Sequence, residues 1–149
     1  MRNKMRNTMN TKTTITNPVL YILMRTDLES MNPGKSCAQS AHAANQFMLR
    51  FERPEDYESA ESHRDMYEAW LESGGGFGTT ITLDVDAARL GGVYSMAHKA
   101  GFPTGITHDP SYPLVDGKVL HLLPLDTCGY VFGDKDELAP LLQQFGLMP

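Results

Sequence analysis

The feature that most constrains the fold is one continuous apolar segment, residues 19–24, with the sequence Val-Leu-Tyr-Ile-Leu-Met. Such a run is typical of a strand that is buried on both faces of a sheet. Polar residues follow it, and Pro33 and Gly34 then favour the first turn of a helix, which we expect over residues 34–52. A strand that leads directly into a helix indicates a layered α/β domain.

Strand and helix patterns alternate through the rest of the chain as well. The 149 residues are enough for one domain with a substantial core and too few for two. We therefore predict a single α/β domain with a mixed sheet of about four strands and helices packed on both faces. The further segments are a helix at 54–73, a strand at 79–85, a helix at 86–100, a strand at 102–107, two strands or one bent hairpin at 119–123 and 128–132, and a helix at 135–145.

The amino-terminal residues differ in composition from the rest. Residues 1–16 hold four basic side chains and no acidic one, and they are rich in Thr, Asn and Met. We predict a flexible basic tail there, followed by the folded domain over residues 17–149. No stretch reaches the roughly 20 apolar residues that cross a bilayer. Two cysteines and the absence of a secretory signal favour a reduced protein in the cytoplasm.

The distribution of charge decides whether a nucleic-acid partner is compatible with the sequence. The formal net charge of −5 by itself argues against one. However, residues 52–72 alone carry −6, whereas residues 1–16 carry +4 and the remainder only −3. An RNA partner is therefore compatible with the sequence if it avoids the acidic segment, and its affinity is expected to be weak and salt-sensitive.

The turn between the first strand and the first helix resembles a phosphate-binding loop, because Gly34, Lys35 and Ser36 open the helix. A P-loop requires Gly-x-x-x-x-Gly-Lys-Ser/Thr, since its glycines let backbone N–H groups surround the phosphates. Here Glu29 replaces the first glycine and Pro33 lacks an N–H, which excludes a P-loop. What remains is a lysine at the positive end of a helix, which favours binding of an anion.

Polar side chains extend this feature along the first helix. Lys35 is followed at intervals of four, three and four residues by Gln39, His42 and Gln46. This spacing places all of them on one helical stripe, where a cation, an amide and an imidazole suit a phosphodiester or a carbonyl group. A solvated helix face would show the same pattern. We expect the opposite face to pack on the sheet because its side chains are small: Ala38, Ala41, Ala44 and Asn45.

Neither a metal site nor a covalent nucleophile is indicated. The histidines lack a metal-binding spacing such as His-x-x-x-His, and no serine occupies a Gly-x-Ser-x-Gly elbow. Cys37 lies in an Ala-rich helix, where a packed thiol is more common than a reactive one. We therefore expect no metal and no other cofactor. The glycine run at 74–78 precedes a strand rather than a helix, so we interpret it as a flexible connection.

The residues around the first helix resemble the opening of a known family. Residues 25–28 read Arg-Thr-Asp-Leu, residues 34–35 read Gly-Lys, and residues 38–43 read Ala-Gln-Ser-Ala-His-Ala. They resemble the type 2 peptidyl-tRNA hydrolase family, in which the first strand ends in Arg-x-Asp-Leu and the helix carries Gly-Lys-x-x-Ala-Gln-x-x-His-Ala. The order of elements is similar over about residues 18–146. The family's Gly-Arg-Thr element is absent from residues 110–123, which indicates a divergent member.

The resemblance implies a function and a set of site residues. The function is hydrolysis of the ester that joins a peptide to the 3′ ribose of tRNA. Asp109 is then expected to orient or deprotonate a water, Thr127 to position it, and Lys35 to stabilise the oxyanion or hold the terminal phosphate. Peptidyl-tRNA is the expected partner, no cofactor is needed, and a homodimer is compatible with the family. The expected substrate-binding residues are Gln39, His42, Arg25 and Asp27.

Two other functions fit the same sequence. Without the Gly-Arg-Thr element, the chain can be a catalytically impaired member that binds tRNA ends or a protein partner through the acidic segment. Alternatively, it can hydrolyse another ester or amide. Of the remaining histidines, His108 is a candidate to support Asp109, whereas His63, His98 and His121 are expected to be structural.

Overall fold

The computed structural model describes residues 16–57 and 60–149, so that the predicted basic tail over residues 1–16 lies almost wholly outside the described residues. The helices are α1 (Pro33–Glu52), α2 (Arg64–Glu72), α3 (Ala87–Lys99) and α4 (Lys135–Leu142). The strands are β1 (Pro18–Arg25), β2 (Thr80–Val85), β3 (Thr104–Asp116) and β4 (Val119–Asp134).

Strand β1 occupies a central position in the sheet. The strand order is β2-β1-β4-β3, with β1 parallel to β2, and with β4 antiparallel to both β1 and β3. Leu20, for example, lies opposite Thr80 on one side and Phe132 on the other. A sheet with both kinds of pairing is mixed, as predicted, and it has the expected four strands. Within the described ranges, no helix combines the length and the apolar composition that crossing a bilayer requires.

Side chains of β1 enter a hydrophobic core on each face of the sheet. Tyr21 and Leu23 pack in a cluster with residues of α3 and α4. Leu20 and Ile22 point to the other face, into a cluster with residues of α1 and α2. Helices therefore pack on both faces, which confirms the predicted fold class. Burial on both faces also explains why β1 is uniformly apolar instead of alternating.

Helix α1 packs on the sheet through a different face from the one predicted. Asn32 caps its first turn, because its side-chain oxygen accepts a hydrogen bond from the backbone N–H of Lys35 at 2.9 Å. The prediction that small side chains contact the sheet is wrong, since Ala38 and Ala41 are exposed. Large apolar side chains decide the orientation, because burying them removes far more surface from water than burying alanines. The buried residues of α1 are Ser36, Gln39, Ala43, Phe47 and Phe51.

The segment after α1 is broken rather than continuous. The predicted single helix over 54–73 is wrong, because two short 3₁₀ turns, Pro54–Asp56 and Glu61–His63, precede α2. Beyond these turns, Tyr67 of α2 stacks on Phe51 of α1 with ring centroids 4.1 Å apart. A continuous helix would advance by about 1.5 Å per residue away from Phe51 and would preclude that contact. Aromatic packing between the two helices thus overrides the local helical pattern.

Strands β3 and β4 form a much longer hairpin than predicted. The predicted end of a strand at residue 107 is wrong, because β3 continues to Asp116. The prediction of two strands or one bent hairpin at 119–123 and 128–132 is also wrong, because both segments belong to the single strand β4, which pairs with β3. Gly117, with a φ of +60°, lies in the turn between them. The pairing register shifts between Asp109 and Tyr112, where Pro110 lies. Proline is tolerated there because β3 is an edge strand and the irregular pairing removes the need for its N–H.

The outer part of this hairpin projects beyond the rest of the sheet. Strand β1 pairs with β4 only over residues 128–134, so that in the described sheet residues 119–126 of β4 pair with β3 alone. We call the two-stranded segment formed by residues 108–126 the ribbon. His121, which was expected to be structural, is exposed on it.

Candidate active site

Gln39 connects α1, β3 and β4 at the inner end of the ribbon. Its Nε2 donates to Oδ2 of Asp109 at 2.6 Å, and its Oε1 accepts from Oγ1 of Thr127 at 2.5 Å. A carboxylate can only accept hydrogen bonds, so the amide nitrogen must face Asp109 and the amide oxygen must face the hydroxyl. Gln39 is 3% exposed and Thr127 is fully buried. The amide therefore holds the two strands in a fixed relation at this point.

The carboxyl group of Asp109 is held in its ionised form. Partial burial raises its pKa, but hydrogen bonds and nearby imidazoles outweigh burial, and the pKa is lowered overall from its usual value. The donors are the backbone N–H of Ser111, 2.9 Å from Oδ1, and the amide of Gln39. His42 and His108 contribute favourable electrostatics. Each carboxylate oxygen keeps a further lone pair that can accept a hydrogen bond from a water.

Asp109 opens onto a cleft of about 470 Å³ that is lined by residues of α1 and β3. His42 and Gln46 of the polar stripe belong to the α1 wall, and His42 is exposed in it. Gln46 accepts a hydrogen bond from Oγ1 of Thr107 at 2.9 Å and donates one to the carbonyl of Ile106 at 3.2 Å. The predicted stripe faces β3 instead of pointing away from the sheet, and it is divided: His42 and Gln46 line this cleft, whereas Gln39 is buried.

Lys35 contacts the ribbon. Its Nζ donates to the carbonyl oxygen of Pro113 at 2.6 Å and lies 4.8 Å from the centroid of the Tyr112 ring. Tyr112 is completely buried, and its hydroxyl lies 3.0 Å from Oγ of Ser30. The cation at the start of α1 is therefore oriented by the segment in which the family's Gly-Arg-Thr element is absent.

The sequence patterns did not predict that Tyr112 is a buried residue beside the site. It follows Pro110 and Ser111, which are typical of a turn, and a turn residue is not expected to be buried. The available signal was alternation, because Tyr112 and Leu114 are large apolar residues two positions apart. Their spacing is that of a strand with one buried face.

The two remaining predicted site residues lie at the end of β1 and bind each other. Nε and Nη2 of Arg25 each donate to a different carboxylate oxygen of Asp27 at 2.9 Å. The hydrogen bond and the charge of Arg25 lower the pKa of Asp27. Nη1 of Arg25 also donates to the carbonyl of Asp126 at 3.0 Å, and Asp27 accepts from the backbone N–H of Ala87 at 3.4 Å. This ion pair ties β1 to β4 and to the start of α3, and neither of its side chains lines the cleft beside Asp109.

His108, Cys128 and Cys37 are further titratable side chains on the strands and helix that form the site. Nδ1 of His108 lies 2.8 Å from Oδ1 of Asp126, and His108 also lines the cleft beside Asp109. Burial raises the pKa of the Cys128 thiol, whereas Cys37 is exposed. Among residues 16–57 and 60–149, no group of three or more His, Cys, Asp or Glu side chains is placed to hold a metal ion.

Comparison with known families gives a match over most of the domain. A family model described as "Peptidyl-tRNA hydrolase PTH2" matches residues 18–122. The matched part contains Lys35, Gln39 and Asp109, whereas Thr127 lies beyond its end. No curated protein matches the chain. The match covers well over half of the 149 residues and confirms the resemblance carried by the strand–helix motif: the chain belongs to the type 2 peptidyl-tRNA hydrolase family.

Proposed function

We propose that this protein hydrolyses the ester between a peptide and the 3′ ribose of tRNA, releasing the free tRNA. Membership of the family suggests peptidyl-tRNA hydrolase activity. The observation that carries the proposal for this chain is the linkage of Asp109 to Thr127 through Gln39. The ionised carboxylate of Asp109 lies in an open cleft beside α1, the helix whose first turn carries Lys35.

Ester hydrolysis requires a positioned water and a group that stabilises the developing oxyanion. Asp109 accepts a hydrogen bond from the water, whose oxygen adds to the ester carbonyl carbon to form a tetrahedral oxyanion. When this intermediate collapses, the bond to the 3′ ribose oxygen breaks, and that oxygen takes up the proton that the water has lost, which leaves a free 3′ hydroxyl on the tRNA. Because its pKa is lowered, Asp109 is a weak base, and its main contribution is orientation of the water. Lys35 supplies positive charge to the oxyanion or to the terminal phosphate. Thr127 is buried and acts through Gln39, which keeps the carboxylate in place.

The arrangement of charge supports approach of RNA from the start of α1. Lys35 donates to a neutral carbonyl, and none of the described salt bridges involves it, so its charge is not neutralised by a carboxylate. The acidic segment begins at Glu52, the last residue of α1. Since a helix rises by about 1.5 Å per residue, the two ends are separated by roughly 26 Å, which exceeds the Debye length of about 8 Å at physiological salt. Glu52, at the far end of α1, thus repels RNA at Lys35 only weakly.

The proposal is tested with purified protein, an N-acetylated aminoacyl-tRNA and the free aminoacyl-tRNA. We expect cleavage of the acetylated substrate alone, and its loss by about 100-fold or more in Lys35→Ala and in Asp109→Asn, the size of effect typical of removing a principal catalytic group. Matched controls are Lys99→Ala and Asp136→Asn, which alter exposed residues away from the cleft. Undiminished cleavage by both site variants contradicts the assignment.

A second candidate function rests on the ribbon, which replaces the family's Gly-Arg-Thr element. In this alternative the protein is a catalytically impaired member that binds tRNA ends or a protein partner. Binding of the acetylated substrate without cleavage would favour it. Neither binding nor cleavage would favour a hydrolase for another ester or amide. A homodimer and a cytoplasmic location stay predictions; light scattering of the purified protein and imaging of a tagged chain test them.

A further inference from the structure

A cavity of about 700 Å³ lies between the start of α1 and β2, and we call it the α1–β2 cavity. Its volume falls within the range of about 300–1,000 Å³ that is typical of small-molecule sites. None of the described residues lines both this cavity and the cleft beside Asp109. The lining residues that bear on its chemistry are Met31, Ser36, Cys37, Thr82 and Met148.

Both walls of the α1–β2 cavity are formed by regular backbone structure. One wall is α1, and because successive residues of a helix turn by about 100°, Cys37 lies on the side of α1 opposite to Lys35. The other wall is β2 together with residues 146–149. The backbone N–H of Met148 donates to the carbonyl of Thr82 at 3.1 Å, and Leu147 forms an antiparallel bridge with Leu83. These contacts hold Met148 at the cavity.

The side chain of Ser36 is the observation that indicates a ligand. Ser36 lines the cavity and is only 5% exposed, yet its Oγ has no hydrogen-bond partner among residues 16–57 and 60–149. Its backbone N–H, by contrast, donates to the carbonyl of Asn32 at 2.9 Å. Buried hydroxyl groups are almost always paired, because an unpaired one loses its hydration without a compensating bond. A ligand in the cavity would supply the partner.

The lining of the cavity favours a ligand without charge. No Asp, Glu, Lys, Arg or His side chain belongs to the described lining, so a charged group would lose hydration without gaining a counter-charge. The start of α1 offers little to an anion on this side of the helix. Pro33 has no N–H, and the side chain of Asn32 already accepts from the N–H of Lys35. Phosphates and carboxylates are therefore disfavoured.

The lining side chains suit an aromatic ring with a polar edge. Met31 and Met148 line the cavity and also pack against the core cluster on the α1 side of the sheet. Thioethers adapt to the shape of an aromatic ring and make favourable contacts with it. The hydroxyl of Ser36 can both donate and accept, so it can pair with a ring nitrogen or an exocyclic amide. A purely aliphatic molecule would leave that hydroxyl unpaired.

We propose that the α1–β2 cavity is a second binding site, which takes an uncharged aromatic heterocycle such as a nucleobase. The ring packs against Met31 and Met148, and its polar edge bonds Oγ of Ser36. The site is independent of the proposed hydrolysis, because its described lining is separate from the cleft beside Asp109. Cys37 is an exposed thiol in the lining, so a bound ring covers it and slows its reaction with an alkylating reagent.

The experiment measures alkylation of Cys37 by iodoacetamide in the purified full chain, read by mass spectrometry. The probes are two uncharged heterocycles, adenosine and indole-3-acetamide. Their comparators are the charged counterparts, adenosine monophosphate and indole-3-acetate, and the saturated cyclohexylacetamide. We expect at least one heterocycle at millimolar concentration to slow alkylation by about 5-fold, as at a concentration of about four times Kd, and the comparators to leave it unchanged. Cys128 is completely buried and serves as the internal control.

Two pairs of variants test the residues that hold the ring. Ser36→Ala should raise the concentration of heterocycle needed for protection by about 5-fold, whereas Ser95→Ala on α3 should not. Met148→Ala should have an effect of similar size, because it removes a thioether from the wall. Its matched control is Leu147→Ala, since Leu147 is 73% exposed and lies outside the lining. Because Ser36→Ala removes an unpaired hydroxyl, its urea midpoint should match that of the parent.

The outcomes decide the inference without reference to tRNA, so that a lack of hydrolysis does not affect them. Protection by neither heterocycle overturns the site, and equal protection by the charged or saturated comparators overturns the class of ligand. Protection that is unchanged in Ser36→Ala overturns the role of the hydroxyl. A fall in the urea midpoint of Ser36→Ala also overturns it, because Oγ would then have a partner within the protein.

Discussion

The Nζ atom of Lys35 lies 4.8 Å from the centroid of the Tyr112 ring while it donates to the neighbouring carbonyl of Pro113 at 2.6 Å. Lys35 belongs to the motif shared with the family, whereas Tyr112 belongs to the ribbon, in which the family's Gly-Arg-Thr element is absent. The ribbon thus orients a residue that we place in the catalytic machinery.

Changing the ring of Tyr112 should therefore affect catalysis more than changing its hydroxyl. We expect Tyr112→Leu to lower the single-turnover rate of N-acetyl-aminoacyl-tRNA hydrolysis by about 10-fold, because a desolvated cation–π contact contributes about 1–2 kcal/mol. Tyr112→Phe keeps the ring and should stay within about 3-fold of the parent. An equal loss in both variants would assign the effect to the hydrogen bond with Ser30. Urea titration checks that each variant remains folded.

The hydrogen bonds of Gln39 to Asp109 and Thr127 should contribute to the free energy of unfolding. Gln39→Leu leaves the buried hydroxyl of Thr127 without its acceptor, which we expect to lower the free energy of unfolding by about 1–3 kcal/mol. The double variant Gln39→Leu/Thr127→Val removes both partners and should recover most of that loss. Chemical denaturation of the two single variants and the double variant measures the coupling. If the double variant loses the sum of the free energies lost by the two single variants, the hydrogen bond between Gln39 and Thr127 is not the cause of the destabilisation.

The pH dependence of hydrolysis should reflect the ionisation of the Asp109 carboxyl group. Its pKa in the folded protein is lowered, so its ionised form and the stability it contributes are present above the unfolded pKa of about 3.9 and are lost as the pH falls through the folded pKa. Hydrolysis should therefore persist down to about pH 4 and fall below it. Gln39→Leu removes one donor to the carboxylate and should shift this acidic limb to higher pH. Profiles of kcat/KM against pH test the shift, and coincident profiles would refute it.

A pair of glycines offers a test of packing with an internal control. Gly76 and Gly78 have φ values of +92° and +75°, so alanine is strained by about 1 kcal/mol at each. A Cβ at Gly78 would clash with ring atoms of Trp70, whereas a Cβ at Gly76 meets nothing within 4 Å. Trp70 is held by a hydrogen bond from Nε1 to the carbonyl of Thr79 at 2.8 Å. Gly78→Ala should therefore be less stable than Gly76→Ala by about 1–3 kcal/mol in urea titration, and equal midpoints would contradict the packing.

Local sequence patterns were sufficient to predict the order of the helices and strands and the burial of β1 on both faces. The apolar run of β1 predicts burial on both faces, and the glycine run 74–78 leads into β2 as expected. The polar stripe that includes Lys35 and Gln39 was also predictable, because helical spacing is a local property. The resemblance to the family then placed Asp109 and Thr127 in the same site as these residues.

What could not be predicted depends on contacts between distant residues. The face that α1 buries is decided by Phe47 and Phe51, which pack with aromatic side chains of α2 and β4. The ribbon was missed because Pro110 and Pro113 suggest a turn, and only pairing with β4 makes the segment a strand. The contact of Tyr112 with Lys35 joins residues that are far apart in the chain, and no local pattern encodes it.

The central position of β1 has a consequence for synthesis of the chain. Its neighbours in the sheet are β2 and β4, and its partners on β4 are residues 128–134, more than 100 positions later. At about 5–20 residues per second, the ribosome needs roughly 5–20 s to complete β4 after β1 has been made. During this interval one edge of β1, whose side chains are almost all apolar, has no partner. Folding is therefore expected to be slow and post-translational, and nascent chains that end before β4 should aggregate unless a chaperone covers β1.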